Sequence, residues 1–210
     1  MIDLYVGITG NAMRAAIALA ESGLPHRVHK LNLMQGEQRG AAFLKINPAG
    51  RVPAIVDSAG PTHPNGKPLT LSQSGAILIY IANKSGSPQF WPKNDIGKIE
   101  ALQWTLQACT DAAPLAGIIF QSNYFAPVKS PENIAFFENR LVNVLKEANA
   151  QLKGRDYLAG EISIADFALY PIVRFWAEMI EARGLKDLSA WAKRVGARPA
   201  VKAGVAACAP

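Results

Sequence analysis

The chain has 210 residues, half of them hydrophobic, with a net charge of +6 and an isoelectric point of about 9.4. Wholesale disorder is excluded, because 18 % charged residues and an ordinary aromatic content leave ample apolar surface to bury. Lys and Arg are scattered with no run of five, which argues against a nucleic-acid surface.

The N-terminus, Met1-Ile2-Asp3, lacks the basic and apolar pattern of a signal peptide. The longest uncharged apolar runs, such as Ala112–Phe120, are too short to span a bilayer. Cys109 and Cys208 are far apart and form no CxxC, so neither a disulfide framework nor a zinc site is expected, and a reducing, cytoplasmic setting fits.

Ile2–Val6 reads as a short strand, Gly7–Gly10 as a turn, and Asn11–Ser22 as a helix ended by Gly23. His26–Leu33 alternates like a second strand, which makes a right-handed βαβ unit. Arg39–Ile46 predicts a short helix closed by Asn47-Pro48. Pro53 then opens the strand Ala54–Asp57, a position that suits a residue without an N–H.

The X-Pro bond at Val52-Pro53 is the one place where a cis peptide is cheap. A cis turn there would splay the Val52 N–H and C=O outward, where a peptide-like ligand could pair as an added strand. A plain loop into an ordinary strand is the alternative.

Ser58–Pro68, with its prolines and glycines, predicts a loop, Leu69–Leu71 a strand, and Gln73–Lys84 a helix. Residues 1–85 carry eight Lys/Arg against four Asp/Glu, a lean towards a small anionic ligand. Residues 86–94, rich in Gly, Ser and Pro, form a linker. Beyond it the strand pattern stops.

Helices are expected over Asp95–Phe120 (kinked or broken at Pro114), Pro131–Leu152 and Ser163–Ile180, with shorter ones near Ser189–Val195 and Pro199–Ala206. Ser163 and Asp166 have the spacing of a capping box that starts a buried helix. The expected architecture is an α/β domain with a mixed four-stranded sheet over residues 1–85, and an all-α domain over 95–210.

Four motifs in this order resemble the cytosolic glutathione transferases. They are Thr9-Gly10-Asn11 after the first strand, Asn47-Pro48-Ala49-Gly50-Arg51-Val52-Pro53-Ala54, Gln73-Ser74-Gly75-Ala76-Ile77, and Ser163-Ile164-Ala165-Asp166-Phe167. The resemblance covers nearly the whole chain. It implies a thioredoxin-like N-terminal domain, a cis Pro53, a homodimer, and glutathione as cosubstrate with no bound cofactor or metal. Met1-Ile2-Asp3-Leu4-Tyr5, Thr9, Asn11 and Glu37-Gln38 look most like the bacterial nu class, which reduces glutathione-linked disulfides and organic peroxides.

No Ser or Cys lies between residues 5 and 20, so a cysteine-class mixed disulfide is not expected, and Tyr5 comes early for the tyrosine-class position. Close nu-class relatives carry an Arg-Tyr pair where this chain has Ala135-Phe136-Phe137, which puts disulfide reduction in question and leaves conjugation and peroxidase chemistry open.

Each group of glutathione needs a partner. Ser74, at a helix start, suits the γ-glutamyl carboxylate, and Gln73 the amine. A plain capping role for Ser74 is the alternative. Val52, beside Pro53, suits the cysteinyl backbone. Gln38, with Arg51 or Lys45, suits the glycyl carboxylate, although both cations also read as ordinary surface charges.

Thr9 and Asn11 are the candidate catalytic residues, as donors that favour the thiolate and lower its pKa. Asn11 also reads as a helix cap. Trp104, Tyr124 and Phe125, with Cys109 and Phe120, are candidates for a second-substrate wall, against the alternative of core packing. Cys109 as a catalytic thiol is disfavoured, since buried cysteines are usually inert. A non-catalytic binding or regulatory scaffold is the competing function, with an isomerase or dehalogenase of the same fold as a third. No nucleic acid or membrane partner is expected.

Overall fold

Strand β1 (Ile2–Val6) is the spine of the first half of the chain. Ile2, Leu4 and Val6 are buried while Asp3 and Tyr5 alternate to the other face, as a period of two requires. The computed structural model describes residues 1–87 and 89–209; Pro88, inside the expected 86–94 linker, and Pro210 lie outside the described residues.

After β1 come helix α1 (Gly10–Ser22), strand β2 (His26–Lys30), a single 3-10 turn at Glu37–Arg39 and the short helix α2 (Ala41–Leu44). Strands β3 (Ala54–Thr62) and β4 (Pro68–Ser72) and helix α3 (Ser74–Ser85) follow. The sheet is four-stranded and mixed, in the order β2-β1-β3-β4, with β1 parallel to β2 and antiparallel to β3. This is the thioredoxin-like arrangement.

The register sets up the site. His29, Tyr5, Ala54 and Ser72 are partners in one row across the four strands. The end of β1, the end of β2, the start of β3 and the end of β4 therefore share one edge of the sheet. The segments that carry Thr9, Gln38, Val52-Pro53 and Gln73-Ser74 all leave from that edge.

Three expectations for this half change. The strand expected over His26–Leu33 ends at Lys30. The helix expected over Arg39–Ile46 is only the four-residue α2 after the 3-10 turn. Much of the Ser58–Pro68 loop is strand, because β3 continues through an irregularity between Asp57 and Thr62 before it pairs Thr62 with Pro68. Asp57 is fully buried there and accepts from Tyr80 Oη at 2.6 Å and from the Ala59 N–H at 2.9 Å, with Lys84 Nζ at 2.9 Å. Burial raises the Asp57 carboxyl, but the Tyr80, Lys84 and Ala59 hydrogen bonds and the Lys84 charge outweigh it and hold the pKa below the ordinary value.

The chain divides into two compact units, with the boundary between Gln89 and Phe90. The last helix falls on the side opposite to expectation. The sequence places it with the all-helical domain over 95–210, but from Ala197 onward the chain clusters with residues 1–89.

The contacts explain why. Helix α10 (Pro199–Ala207) packs against α1 so closely that a Cβ on Gly204 would stand 2.5 Å from Ile17 Cα. Arg198 grips the carboxylate of Glu21 through two bonds of 2.6 and 2.7 Å. Gly204→Ala is expected to destabilise the protein by about 1–3 kcal/mol, because the overlap is with backbone that cannot swing aside. Chemical denaturation checks this; wild-type stability would show that α10 has room to move.

The second unit holds α4 (Asp95–Leu106), a π-helical turn (Gln107–Ala112), α5 (Ala113–Tyr124), α6 (Pro131–Gln151), α7 (Ile164–Phe175), α8 (Ala177–Ala182) and α9 (Lys186–Ala197). The break expected at Pro114 is taken up by the π turn, in which the Ala113 N–H reaches back five residues to Ala108. Every residue of α7 from Ile164 to Val173 is buried, as befits a helix apolar on nearly all sides. The Ser163–Asp166 capping box is formed at its start. Among the described residues, no helix is long and apolar enough to cross a membrane.

Candidate functional site

Thr9 is the N-cap of α1, and its Oγ1 accepts from the Ala12 N–H at 3.0 Å. The Thr9 hydroxyl proton stays available to donate. The capping role also considered for Asn11 therefore belongs to Thr9, and Asn11 lies exposed within the first turn. The α1 helix dipole and its unpaired first N–H groups favour negative charge at this end. Tyr5 points to the other face of the sheet, stacked on His29 at 4.7 Å. Burial, with Asp3 beside it, pushes its phenol above the ordinary value, so it supplies no phenolate at neutral pH.

Ser74 is the first residue of α3 and is buried; Gln73 before it is the N-cap, without a side-chain cap bond. The plain capping role for Ser74 is thus not the one it takes. Gln73 has φ 73°, the left-handed region that a side chain rarely occupies. Such a conformation costs about 1–3 kcal/mol and persists where surrounding structure imposes it, often beside ligands.

Arg14 joins the two helix starts. Its Nη1 donates to Asn11 Oδ1 at 2.8 Å and to Ser74 Oγ at 3.2 Å. Arg14 is only 1 % exposed. In the sequence it looks like one more scattered cation on a helix.

Val52-Pro53 is cis, as the resemblance implies, and directly precedes β3. Asn47, which the sequence offers as a helix end and as the first residue of the Asn47–Ala54 motif, is buried and folds the turn before it. Its Nδ2 donates to the Arg51 C=O at 2.7 Å and its Oδ1 accepts from the Ala49 N–H at 3.2 Å. Asn47→Ala is expected to loosen this turn and raise KM for glutathione several-fold while the thiol pKa stays put, because the helix starts are untouched. Steady-state kinetics with a pH titration checks the split.

Gln38 Nε2 reaches the Leu33 C=O at 3.4 Å, and its Oε1 is buried with no hydrogen-bond partner among the described residues. An acceptor in that state calls for an N–H, such as a ligand amide, while the second N–H of Nε2 can still donate to a carboxylate. Arg51 and Lys45 are exposed and, among the described residues, form no ion pair.

In the helical unit, Trp104 is 8 % exposed and belongs to the core, whereas Phe120, Tyr124 and Phe125 are exposed. These three cluster with Phe175, which the sequence does not single out: Phe120 lies 4.8 Å from Tyr124, 5.7 Å from Phe125 and 5.6 Å from Phe175. Cys109 lies in the π turn and is not disulfide-bonded. Cys208 is buried, and burial pushes its thiol up to about 11 against the pull of Lys30, which leaves it inert at neutral pH. No cluster of potential metal ligands occurs among the described residues.

A thioredoxin-like sheet whose edge gathers a cis-proline turn and two helix starts, followed by an all-helical unit, defines a known class of two-domain protein. The glutathione S-transferase N-terminal domain model matches residues 10–84, and the C-terminal domain model matches residues 118–206. The chain belongs to the glutathione S-transferase family.

It is 33 % identical over 202 residues to the disulfide-bond oxidoreductase YfcG of Escherichia coli, covering 95 % of this chain and 92 % of that protein. Identity to the disulfide-bond oxidoreductase YghU of the same organism is 32 % over 219 residues, covering 97 % and 73 %. The crystal structure of a glutathione transferase family member from Pseudomonas fluorescens, with two glutathione bound, superposes with a TM-score of 0.87 at 30 % identity, covering 97 % of this chain and 92 % of that one.

Proposed function

We propose that the protein is a glutathione transferase of the nu type. It binds glutathione at the sheet edge, holds the thiol as thiolate with Thr9 and Asn11, and directs it at disulfides, organic peroxides or other electrophiles. The observation that carries this is the shared edge. Donors at the start of α1, the buried Ser74 at the start of α3 and the cis Val52-Pro53 turn leave the same side of one register row.

Ser74 and the α3 terminus receive the γ-glutamyl carboxylate, Gln73 the amine, and Val52 the cysteinyl backbone. The orphaned Gln38 Oε1 takes an amide N–H at the glycyl end, with Arg51 supplying charge to the carboxylate. On a disulfide, the thiolate attacks one sulfur and the other leaves as thiolate, to be protonated by solvent. The thiolate of a second glutathione then attacks the glutathione sulfur of the mixed disulfide, forming glutathione disulfide and releasing the substrate's other sulfur as thiolate, which solvent protonates.

Within the helical unit, Phe120, Tyr124, Phe125 and Phe175 form an exposed apolar cluster. Ile96, Ile99 and Leu106, exposed along α4, suit the homodimer that the family implies. The two relatives named as disulfide-bond oxidoreductases favour disulfide substrates first, and the two cysteines, neither of them disulfide-bonded, fit a reducing, cytoplasmic setting.

Titration calorimetry with glutathione is the direct test. Binding at micromolar to millimolar ligand, with turnover of a glutathione-linked disulfide, an organic peroxide or an aromatic halide, is expected. Absence of binding at millimolar glutathione would turn the reading to a non-catalytic scaffold.

A further inference from the structure

Arg14 is a large, buried, charged side chain to which neither the sequence motifs nor the proposed chemistry gives a task. Asn11 and Arg14 are three residues apart on α1, so they share a face of the helix. Ser74 comes from α3, sixty positions away in the chain. The guanidinium can only donate, because it carries no acceptor. Both oxygens it touches are therefore committed as acceptors.

For Asn11 this settles the amide orientation. Turning Nδ2 towards Arg14 would set donor against donor, so Oδ1 must face Arg14 at 2.8 Å and Nδ2, with its two N–H groups, must face away. For Ser74 the same logic applies. Its Oγ accepts from Arg14 at 3.2 Å, which leaves its own O–H to donate elsewhere. One nitrogen thus orients donors at two helix starts. Arg14 is held by further interactions besides these two, so it is a firm anchor.

We infer that Arg14 is a positioning residue that orients the Asn11 amide and the Ser74 hydroxyl together, so that the end of the site taking the ligand carboxylate and the end taking its thiol are set by one buried group. The inference rests on the glutathione reading above. Because the guanidinium is buried and donates to both side chains, Arg14 acts through them and not by touching the thiol. Its effect on the thiol must then run through Asn11, and the effects of the two residues must overlap instead of adding.

The test is a double-mutant cycle read by the ultraviolet absorbance of the glutathione thiolate in the complex as pH is varied. The variants are Asn11→Ala, Arg14→Met and the two combined, each checked for folding by circular dichroism and for binding of S-methylglutathione. Arg14→Met is expected to raise the bound thiol pKa by as much as Asn11→Ala does, roughly one unit. The double variant should rise no further than Asn11→Ala alone.

Arg14→Gln, gentler to a buried site, repeats the cycle should Arg14→Met fail to fold. A wild-type thiol pKa in Arg14→Met, or a double variant whose shift is the sum of the singles, would overturn the inference. A wild-type thiol pKa in Asn11→Ala points elsewhere: the thiolate role of Asn11 itself fails, and the coupling falls with it.

Discussion

Asn11→Ala is expected to raise the pKa of bound glutathione by about one unit and to slow turnover about five- to tenfold at pH 7. A free thiol titrates at roughly 8.5, so only about 3 % is thiolate at pH 7. Lowering the pKa to about 7.5 raises that share to about 24 %.

The shift corresponds to about 1.4 kcal/mol, which one hydrogen bond to a charged sulfur at a helix start can supply. The rate deficit should close as pH rises past about 9, where the free thiol ionises unaided. A loss of the same size at all pH values would instead mean misplaced substrate. Asn11 is the cleaner probe of the pair. Thr9 also caps α1 through the Ala12 N–H, so Thr9→Ala would add about 0.5–2 kcal/mol of lost stability to any effect on the thiol.

Asp166→Ala is expected to cost roughly 3–5 kcal/mol of stability with no direct effect on the glutathione site. The carboxylate is fully buried at the start of α7 and gathers four bonds. They come from the Ser163 N–H at 2.9 Å, the Ser163 hydroxyl at 3.3 Å, the Leu158 N–H at 3.2 Å and Trp191 Nε1 at 2.7 Å. Alanine would leave those buried donors without an acceptor, and Trp191 is itself wholly enclosed.

Asp166 also gives the fold a pH dependence. Burial pushes its carboxyl up to about 6, against the opposing pull of the Trp191, Leu158 and Ser163 bonds. The folded chain therefore retains a proton that the unfolded chain releases near pH 4. This residue's contribution to stability is full below about pH 4 and declines as pH rises towards about 6. Urea unfolding across that range should show the decline in wild type and a flatter profile in Asp166→Asn. An unchanged slope in Asp166→Asn would assign the pH dependence to other groups.

The local chemistry of the chain made much of this molecule legible. Pro53 before Ala54-Ile55-Val56 identified both a strand start and the turn before it, because a residue without an N–H has few places in a sheet. Ser163 and Asp166 stated their own helix start by spacing. Gly and Pro misled in one place: they suggested a loop over Ser58–Pro68, where pairing with β4 carries β3 on to Thr62. Tertiary partners can override weak strand propensity.

By itself, then, the sequence determined the order of elements, the mixed sheet followed by helices, the family, and the edge-forming motifs around Thr9, Val52-Pro53 and Ser74. Each of these rests on neighbours a few residues apart. The tertiary structure alone decided three further things: Arg14 lies buried between Asn11 and Ser74, Asn47 folds the turn ahead of Val52, and α10 closes on α1 through Gly204 and the Arg198–Glu21 pair. The first and last join residues 60 and 177 positions apart, and the Asn47 bond depends on a buried amide whose enclosure no local pattern announces. A charge or amide looks the same in a sequence whether water or another helix surrounds it, and only packing tells the two apart.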